Sequence, residues 1–254
     1  MIFVKRLLRI FLPNFLYEKL KEYLLSSFFS AYHYHQDGLA TQHNCDFMKD
    51  PRFMRAYSAG EKTGSWGAPI HWRAFVVCWA AQSGLKRDGD FVECGVNRGG
   101  FAATVLEYTE LFKTQKKFYL LDTFCGLVDT QISEEERVLG VKGGGYEDCY
   151  DSVVKTFSAY TENVVIIKGM VPETLTLVPS ERIAFLSIDM NCAKPEIEAV
   201  EYFWDKLSSG AIIVLDDYGW PGRIVQKTAF DKFCYERDVQ VLALPTGQGL
   251  IIKP

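Results

Sequence analysis

From residue 70 onward the chain alternates between short, continuously apolar runs and longer segments of helical periodicity. The runs are FVEC (91–94), FYLLD (118–122), VVIIKG (164–169), IAFLSID (183–189), AIIVLDD (211–217), VQVLAL (239–244) and LIIK (250–253). Runs apolar at every position belong to strands covered on both faces, and helices between them supply the cover. Helical patterns are expected between the first six. Only PTGQG separates the last two, too little for a crossover helix, so the seventh strand is expected to return antiparallel as a hairpin. The pattern predicts an α/β fold: a Rossmann-like doubly wound seven-stranded sheet, six strands parallel and the last antiparallel, with helices on both faces.

The N-terminal segment MIFVKRLLRIFLPNFLYEKLKEYLL reads differently. Val4, Leu7, Leu8 and Phe11 recur at helical spacing while Lys5, Arg6 and Arg9 lie on other faces, which predicts a basic amphipathic helix ending near Pro13. Charges interrupt it too often for a span of about 20 apolar residues, and it carries no small-residue cleavage site. Such a helix docks onto the domain or onto a sister subunit in a homo-oligomer; the alternative is peripheral contact with an anionic membrane. The expected organisation is a helical N-terminal extension and lid over residues 1–56, then one α/β domain over 57–254, a length single sheets of this class commonly reach. Residues 41–70, with Tyr57, Lys62 and Trp66, read as a lid, and 129–148, with three consecutive glycines, as a mobile substrate loop; an ordinary surface loop is the alternative for each.

Composition narrows the class. A hydrophobic fraction of 48%, a charged fraction of 24% and a net charge of -4 describe an ordinary soluble globular protein. The acidic balance excludes nucleic acid as an expected partner. Seven cysteines, an odd count without a Cys-x-x-Cys pair, read as reduced thiols of a cytoplasmic protein rather than a disulfide framework or zinc site. With the basic N-terminal helix, the expected location is cytoplasmic, with peripheral contact at the inner membrane face. His33 and His35 read as solvated loop or helix residues, with one side of a strand as the alternative.

The chemistry concentrates at strand ends. Asp189 closes FLSID, and Asp216 and Asp217 close AIIVLDD. Carboxylates gathered at strand ends raise one another's pKa and are costly to desolvate unless a cation sits between them. Together the three read as a site for a hard divalent cation, a turn or helix cap being the alternative for the paired aspartates. The first strand runs into Glu93, Gly95, Asn97, Gly99 and Gly100, a loop whose glycines permit close backbone approach by a ligand, although the Gly-x-Gly-x-x-Gly dinucleotide spacing is absent. Asp122, ending the second strand, lies where a carboxylate can accept both hydroxyls of a ribose. Loop and acid together point to a nucleoside-containing cofactor. Tyr202 and Lys206 form a Tyr-x-x-x-Lys pair, a reductase signature, but the helical stripe Ile197, Val200, Trp204 and Leu207 puts both on a solvated face.

The stretches FVECGVNRGG, LDTFCGL, GMVPETL, SIDMN, LSSGAIIVLDDYGWPG and PTGQGLIIKP resemble the macrocin O-methyltransferase family, TylF type, in unchanged order over roughly residues 57–254. The resemblance implies the class I methyltransferase sheet, S-adenosylmethionine as cofactor, and Mg²⁺ (or another hard divalent cation) assisting methylation of a hydroxyl on a sugar, glycan or glycosylated metabolite. Carried over by position, it places Glu93, Gly95, Asn97 and Gly99 around the methionine part of the cofactor, Asp122 and Thr123 at the ribose, and Gly169 and Met170 at the adenine. Asp189, Asp216 and Asp217 match the metal ligands, with Asp189 also reaching the cofactor and serving as catalytic proton acceptor. The family's second acid and nearby tyrosine are replaced by Asn191 and Ala193, so a non-catalytic cofactor-binding relative or assembly partner is the alternative reading, with an NAD-linked reductase behind it.

Overall fold

In the computed structural model of the chain, residues 31–254 are described, together with Leu16 and Lys19, which are helical. The basic amphipathic helix expected around Val4, Leu7, Leu8, Phe11 and Pro13 lies outside the described residues. Contacts divide the chain into two compact units, Met1–Asp46 and Phe47–Pro254. In the first, β1 (Tyr34–Gln36) and β2 (Leu39–Thr41) form a hairpin. Asp37 and Gly38 turn it at φ 53° and 72°, the left-handed pair a two-residue turn needs to match strand twist. His35 is therefore a strand residue rather than part of a loop or helix; it is solvated, as is His33.

The second unit opens with two helices, α1 (Pro51–Glu61) and α2 (His71–Gly84). Asp50 caps α1, its side chain accepting the Arg52 amide, with Pro51 at the position where a missing N–H costs nothing. The sheet follows as β3 (Asp90–Cys94), β4 (Phe118–Asp122), β5 (Val164–Lys168), β6 (Ile183–Ile188), β7 (Leu207–Leu215), β8 (Leu242–Ala243) and β9 (Gly249–Ile252). Between them run α3 (Gly100–Thr109), the short α4 (Glu134–Val138), α5 (Tyr150–Phe157), α6 (Ala193–Trp204) and α7 (Ile224–Tyr235). Their order across the sheet is β5-β4-β3-β6-β7-β9-β8. The first five strands pair in parallel, whereas β9 is antiparallel to both β7 and β8. Six strands thus share one direction, and β9 is inserted against them, as the run pattern predicts.

Side-chain alternation explains why the runs are apolar throughout. Phe91, Phe118 and Phe185 point to one face and pack with α2 and α3, while Val92, Leu121, Leu186 and Ile213 point to the other and pack with α6 and α7. Each central strand feeds two cores. Two details depart from expectation. The connection from β5 to β6 holds only a turn of 3-10 helix, Leu175–Leu177, because Pro172 and Pro179 interrupt any longer ladder. Of VQVLAL, only Leu242–Ala243 pairs as strand. All seven cysteines are free thiols. Among the described residues, no helix is long and apolar enough to cross a membrane.

Candidate active site at the carboxyl ends of the strands

The parallel strands present their carboxyl ends to one rim of the sheet, where chain reversals leave backbone groups open to a ligand. There β3 passes into Gly95 at φ 89°, and a Cβ on that residue would stand 1.9 Å from the Asp189 carbonyl oxygen. Only glycine lets this loop lie directly against the end of β6. Gly99, at φ 83°, backs onto the Phe157 ring, where a Cβ would come within 2.7 Å. The Gly100 amide donates to Ser65 Oγ at 2.9 Å.

Asp122 holds the same loop from the neighbouring strand. Its Oδ2 accepts the amides of Val96 and Asn97 at 2.6 and 2.7 Å, and its Oδ1 accepts that of Phe124 at 2.6 Å. Thr123 Oγ1 lies 3.3 Å from Oδ1 but donates to the Gly126 carbonyl at 2.7 Å. The carboxylate on which the sequence reading places both ribose hydroxyls is therefore first a clamp on three backbone amides, with one acceptor position left on Oδ1.

A cleft open to solvent lies over this rim, at the sheet edge where folds of this kind bind their ligands. Gly95, Asn97, Asp122, Thr123, Gly169 and Asp189 all line it. The other sequence candidates sit differently. Gly99 supports the loop from behind, and Met170 lies between two lining residues, Gly169 and Val171, without itself lining the cleft. Glu93 is buried beneath, and its Oε2 has no hydrogen-bond partner among the described residues. Burial raises its carboxyl well above the usual range, and the charges of Asp189 and Asp122 add to the effect. An unpartnered buried acceptor under a glycine loop fits a cofactor that ends in an amino acid and brings its own donors.

Asp189, Asp216 and Asp217 converge as the sequence predicts, with one ligand oxygen from each lying within 4.8 Å of the others. Burial pushes the Asp189 carboxyl up to about 7, with the charge of Asp217 contributing. Burial also raises Asp217, against the pull of Arg223 and Arg73. An all-carboxylate set this compact fits a hard divalent cation. Two guanidinium groups also serve it. Arg73, from the first turn of α2, places Nε 3.2 Å from Asp216 Oδ1 and pairs with Oδ2 through Nη2. Arg223 lies 3.5 Å from Asp217 and bonds the Asn191 side-chain oxygen at 2.6 Å and its carbonyl at 3.1 Å.

Asn191, at φ 60°, is not an idle substitution for an acid. Its Nδ2 lies 3.3 Å from Asp189 Oδ1 while its oxygens engage Arg223, so it adds a donor to the cluster where an acid would add a fourth negative charge. Below it, buried Glu196 accepts from the Met190 amide at 3.0 Å and from Gln226 at 2.8 Å, fixing the turn after β6. Burial pushes its carboxyl up to about 8.

Several participants escape the sequence reading. Gln248 is fully buried and donates to Asp216 Oδ1 at 3.0 Å from the β8–β9 turn; the only trace of it in sequence is one polar residue before an apolar run. Glu136 closes a capping box with Ser133, and its other oxygen accepts the Ala193 amide at 2.7 Å, so the excursion over 127–141 is tied to the start of α6. Gln131 of that excursion also bonds the Val171 carbonyl. The stretch read as a mobile loop is thus anchored through its first half, while Tyr146 in its second half lines the cleft. Tyr57 and Trp66 of the expected lid are built into an aromatic stack with His71, with centroids 5.1 and 4.1 Å from Tyr57. Tyr202 is half-buried under Lys206 rather than solvated. Both sit at the C-terminal end of α6 or beyond, about 15 Å of helix rise from the rim, which removes the reductase pair from the site.

The family model of the macrocin O-methyltransferases (TylF) matches residues 79–242. A tetracenomycin rhamnosyl 4'-O-methyltransferase of Streptomyces olivaceus is 28% identical over 140 residues, covering 51% of this chain and 53% of that protein. Mycinamicin III 3''-O-methyltransferase of Micromonospora griseorubida is 25% identical over 147 residues, covering 52% and 56%. The chain thus spans little more than half the length of these relatives. The fold resembles the solved O-methyltransferase NovP, with a TM-score of 0.60, 19% identity, and 71% and 79% of the two chains covered. It also resembles the calicheamicin methyltransferase CalS11, with a TM-score of 0.58, 17% identity, and 80% and 93% covered. With its matched region spanning the glycine loop, the cleft and the paired aspartates, the chain belongs to the TylF macrocin O-methyltransferase family.

Proposed function

We propose that the protein is an S-adenosylmethionine-dependent O-methyltransferase acting on a hydroxyl of a sugar, glycan or glycosylated metabolite, with a divalent cation such as Mg²⁺ held by Asp189, Asp216 and Asp217. The observation that carries the reading is the position of Asp189, which both lines the cleft over the glycine loop and belongs to the carboxylate cluster. One residue thereby touches the space for a methyl donor and the space for an acceptor oxygen, the adjacency an in-line displacement requires. The sugar acceptor is supported by the Streptomyces olivaceus relative, whose substrate carries a dimethoxy-rhamnosyl group.

The chain's own groups have separate tasks. Gly95 and Asn97 bring backbone against the methionine end of the donor, with buried Glu93 beneath to accept from its ammonium. Asp122 clamps that loop and offers its remaining acceptor position to a ribose hydroxyl beside Thr123. Gly169 borders the space for the adenine, with Met170 beside it in the chain. Asp189, which lines the cleft and belongs to the carboxylate cluster, takes the acceptor proton. When bound, the donor supplies an activated methyl group and the cation supplies Lewis-acid stabilisation of the acceptor oxygen.

Calorimetric titration tests this directly. S-adenosylmethionine is expected to bind in the micromolar range typical of enzyme ligands, and a nicotinamide dinucleotide not at all. Asp217→Asn should retain donor binding but lose methyl transfer to a panel of sugars by at least about 100-fold. Failure of the wild type to bind the donor, or full activity in Asp217→Asn, would overturn the proposal.

A further inference from the structure

We infer that Arg73 is the chain's built-in counter-cation for the Asp189–Asp216–Asp217 cluster, and that a divalent ion entering the cluster displaces its guanidinium from Asp216. The inference rests on the reading of this cluster as a cation site. Asp216 is 2% exposed, and both its oxygens face Arg73. A carboxylate held in this two-point fashion has most of its lone-pair density committed. Gln248 takes a further position on Oδ1 at 3.0 Å. Three of the roughly four acceptor positions on Asp216 are thereby taken, so a metal ligated by this carboxylate competes with the guanidinium.

Charge gives the same answer. With all three aspartates ionised, as a bound cation would hold them, two arginines and a divalent ion would leave one net positive charge in a largely buried volume. Withdrawing one guanidinium restores neutrality, the arrangement a low-dielectric site favours. Two nitrogens of Arg223 grip Asn191 at 2.6 and 3.1 Å, so withdrawing that guanidinium would also release the turn after β6. Arg73 has somewhere to go. Its Cζ lies 5.8 Å from the Phe101 ring centroid and 5.4 Å from that of Trp220, so a released guanidinium stays over aromatic faces that favour a cation. Gln248 Nε2 bonds Asp216 Oδ1 at 3.0 Å and the Arg73 backbone carbonyl at 3.4 Å, not its guanidinium, so the carboxylate keeps this partner through the exchange.

Titration of the full chain with Mn²⁺, followed by the electron paramagnetic resonance signal of the free ion and without methyl donor or acceptor, reads this exchange apart from catalysis. Arg73→Met is expected to bind Mn²⁺ at least about tenfold more tightly than wild type, since a nearby positive charge is removed and a ligand is freed. Arg73→Lys, with one compact donor in place of a fork, should fall between them. Asp217→Asn should weaken binding. In chelator, Arg73→Met should also melt below wild type and recover more on Mn²⁺ addition, the signature of an ion replacing a missing cation. Mn²⁺ affinity in folded Arg73→Met equal to or below that of wild type overturns the inference while leaving the cation site standing. If Arg73→Met does not fold, unchanged affinity in Arg73→Lys overturns it. Absence of Mn²⁺ binding in every variant overturns the cation site along with it.

Discussion

The least negotiable residue of the site is Gly95, which carries no side chain. It occupies a backbone region strained for any other residue and lies so close to the Asp189 carbonyl that even a methyl group would force the ends of β3 and β6 apart. Gly95→Ala should destabilise the fold by about 2–4 kcal/mol, and at about 2–4 °C per kcal/mol for a domain of this size the melting temperature should drop correspondingly. An unchanged melting curve would mean that the contact relaxes at no cost. The carboxylates were legible in the sequence because an ionisable residue closing an apolar strand stands out against its run. Arg73 and Gln248 were not: each reaches Asp216 from an element far away in the chain, and nothing in their local pattern distinguishes a charge that turns inward from one that solvates.

Elements show the same division between local and tertiary information. The sheet could be read because its strands are doubly covered and therefore apolar at every position, and the closing hairpin because its linker is too short to cross over. The β5–β6 connection is a single 3-10 turn and not the helix its apolar spacing suggests, because two prolines break the ladder. In the excursion between β4 and α5, Ser133 and Glu136 carry a spacing that announces a capping box, yet the second use of Glu136 depends on the fold. By accepting the Ala193 amide it joins this excursion to the first turn of α6, and so to the segment that follows Asp189. Glu136→Ala is expected to speed proteolysis within 127–148 and to raise the acceptor KM about tenfold with a smaller change in kcat, whereas Glu136→Gln, which keeps an oxygen for Ala193, should lie near wild type. Equal behaviour of the two variants would show that this tie does not order the excursion.

At the scale of the molecule, the buried acids make stability depend on pH in an uncommon direction. Asp189 is held at about 7 and Glu196 at about 8, and Glu93 is raised as well, against roughly 4 for such groups in an unfolded chain. Between about pH 4 and 8 the folded protein keeps protons that the unfolded chain has already released, so these groups contribute stability in mild acid that is lost as pH rises through their folded values. In chelator the melting temperature should therefore fall from pH 5.5 to 8.5, and added Mg²⁺ should recover part of the loss at the alkaline end; a flat or rising profile without metal would contradict this account. The placement of β9 carries a different consequence, for the order in which the molecule is assembled. The strand that comes after β8 in the chain lies inside it in the sheet, so β7 remains an open edge until the closing hairpin inserts. Because that hairpin also delivers Gln248 to Asp216, the edge is sealed and the most buried acid of the cluster acquires this partner in the same event: completing the architecture and arming the site are one step of folding.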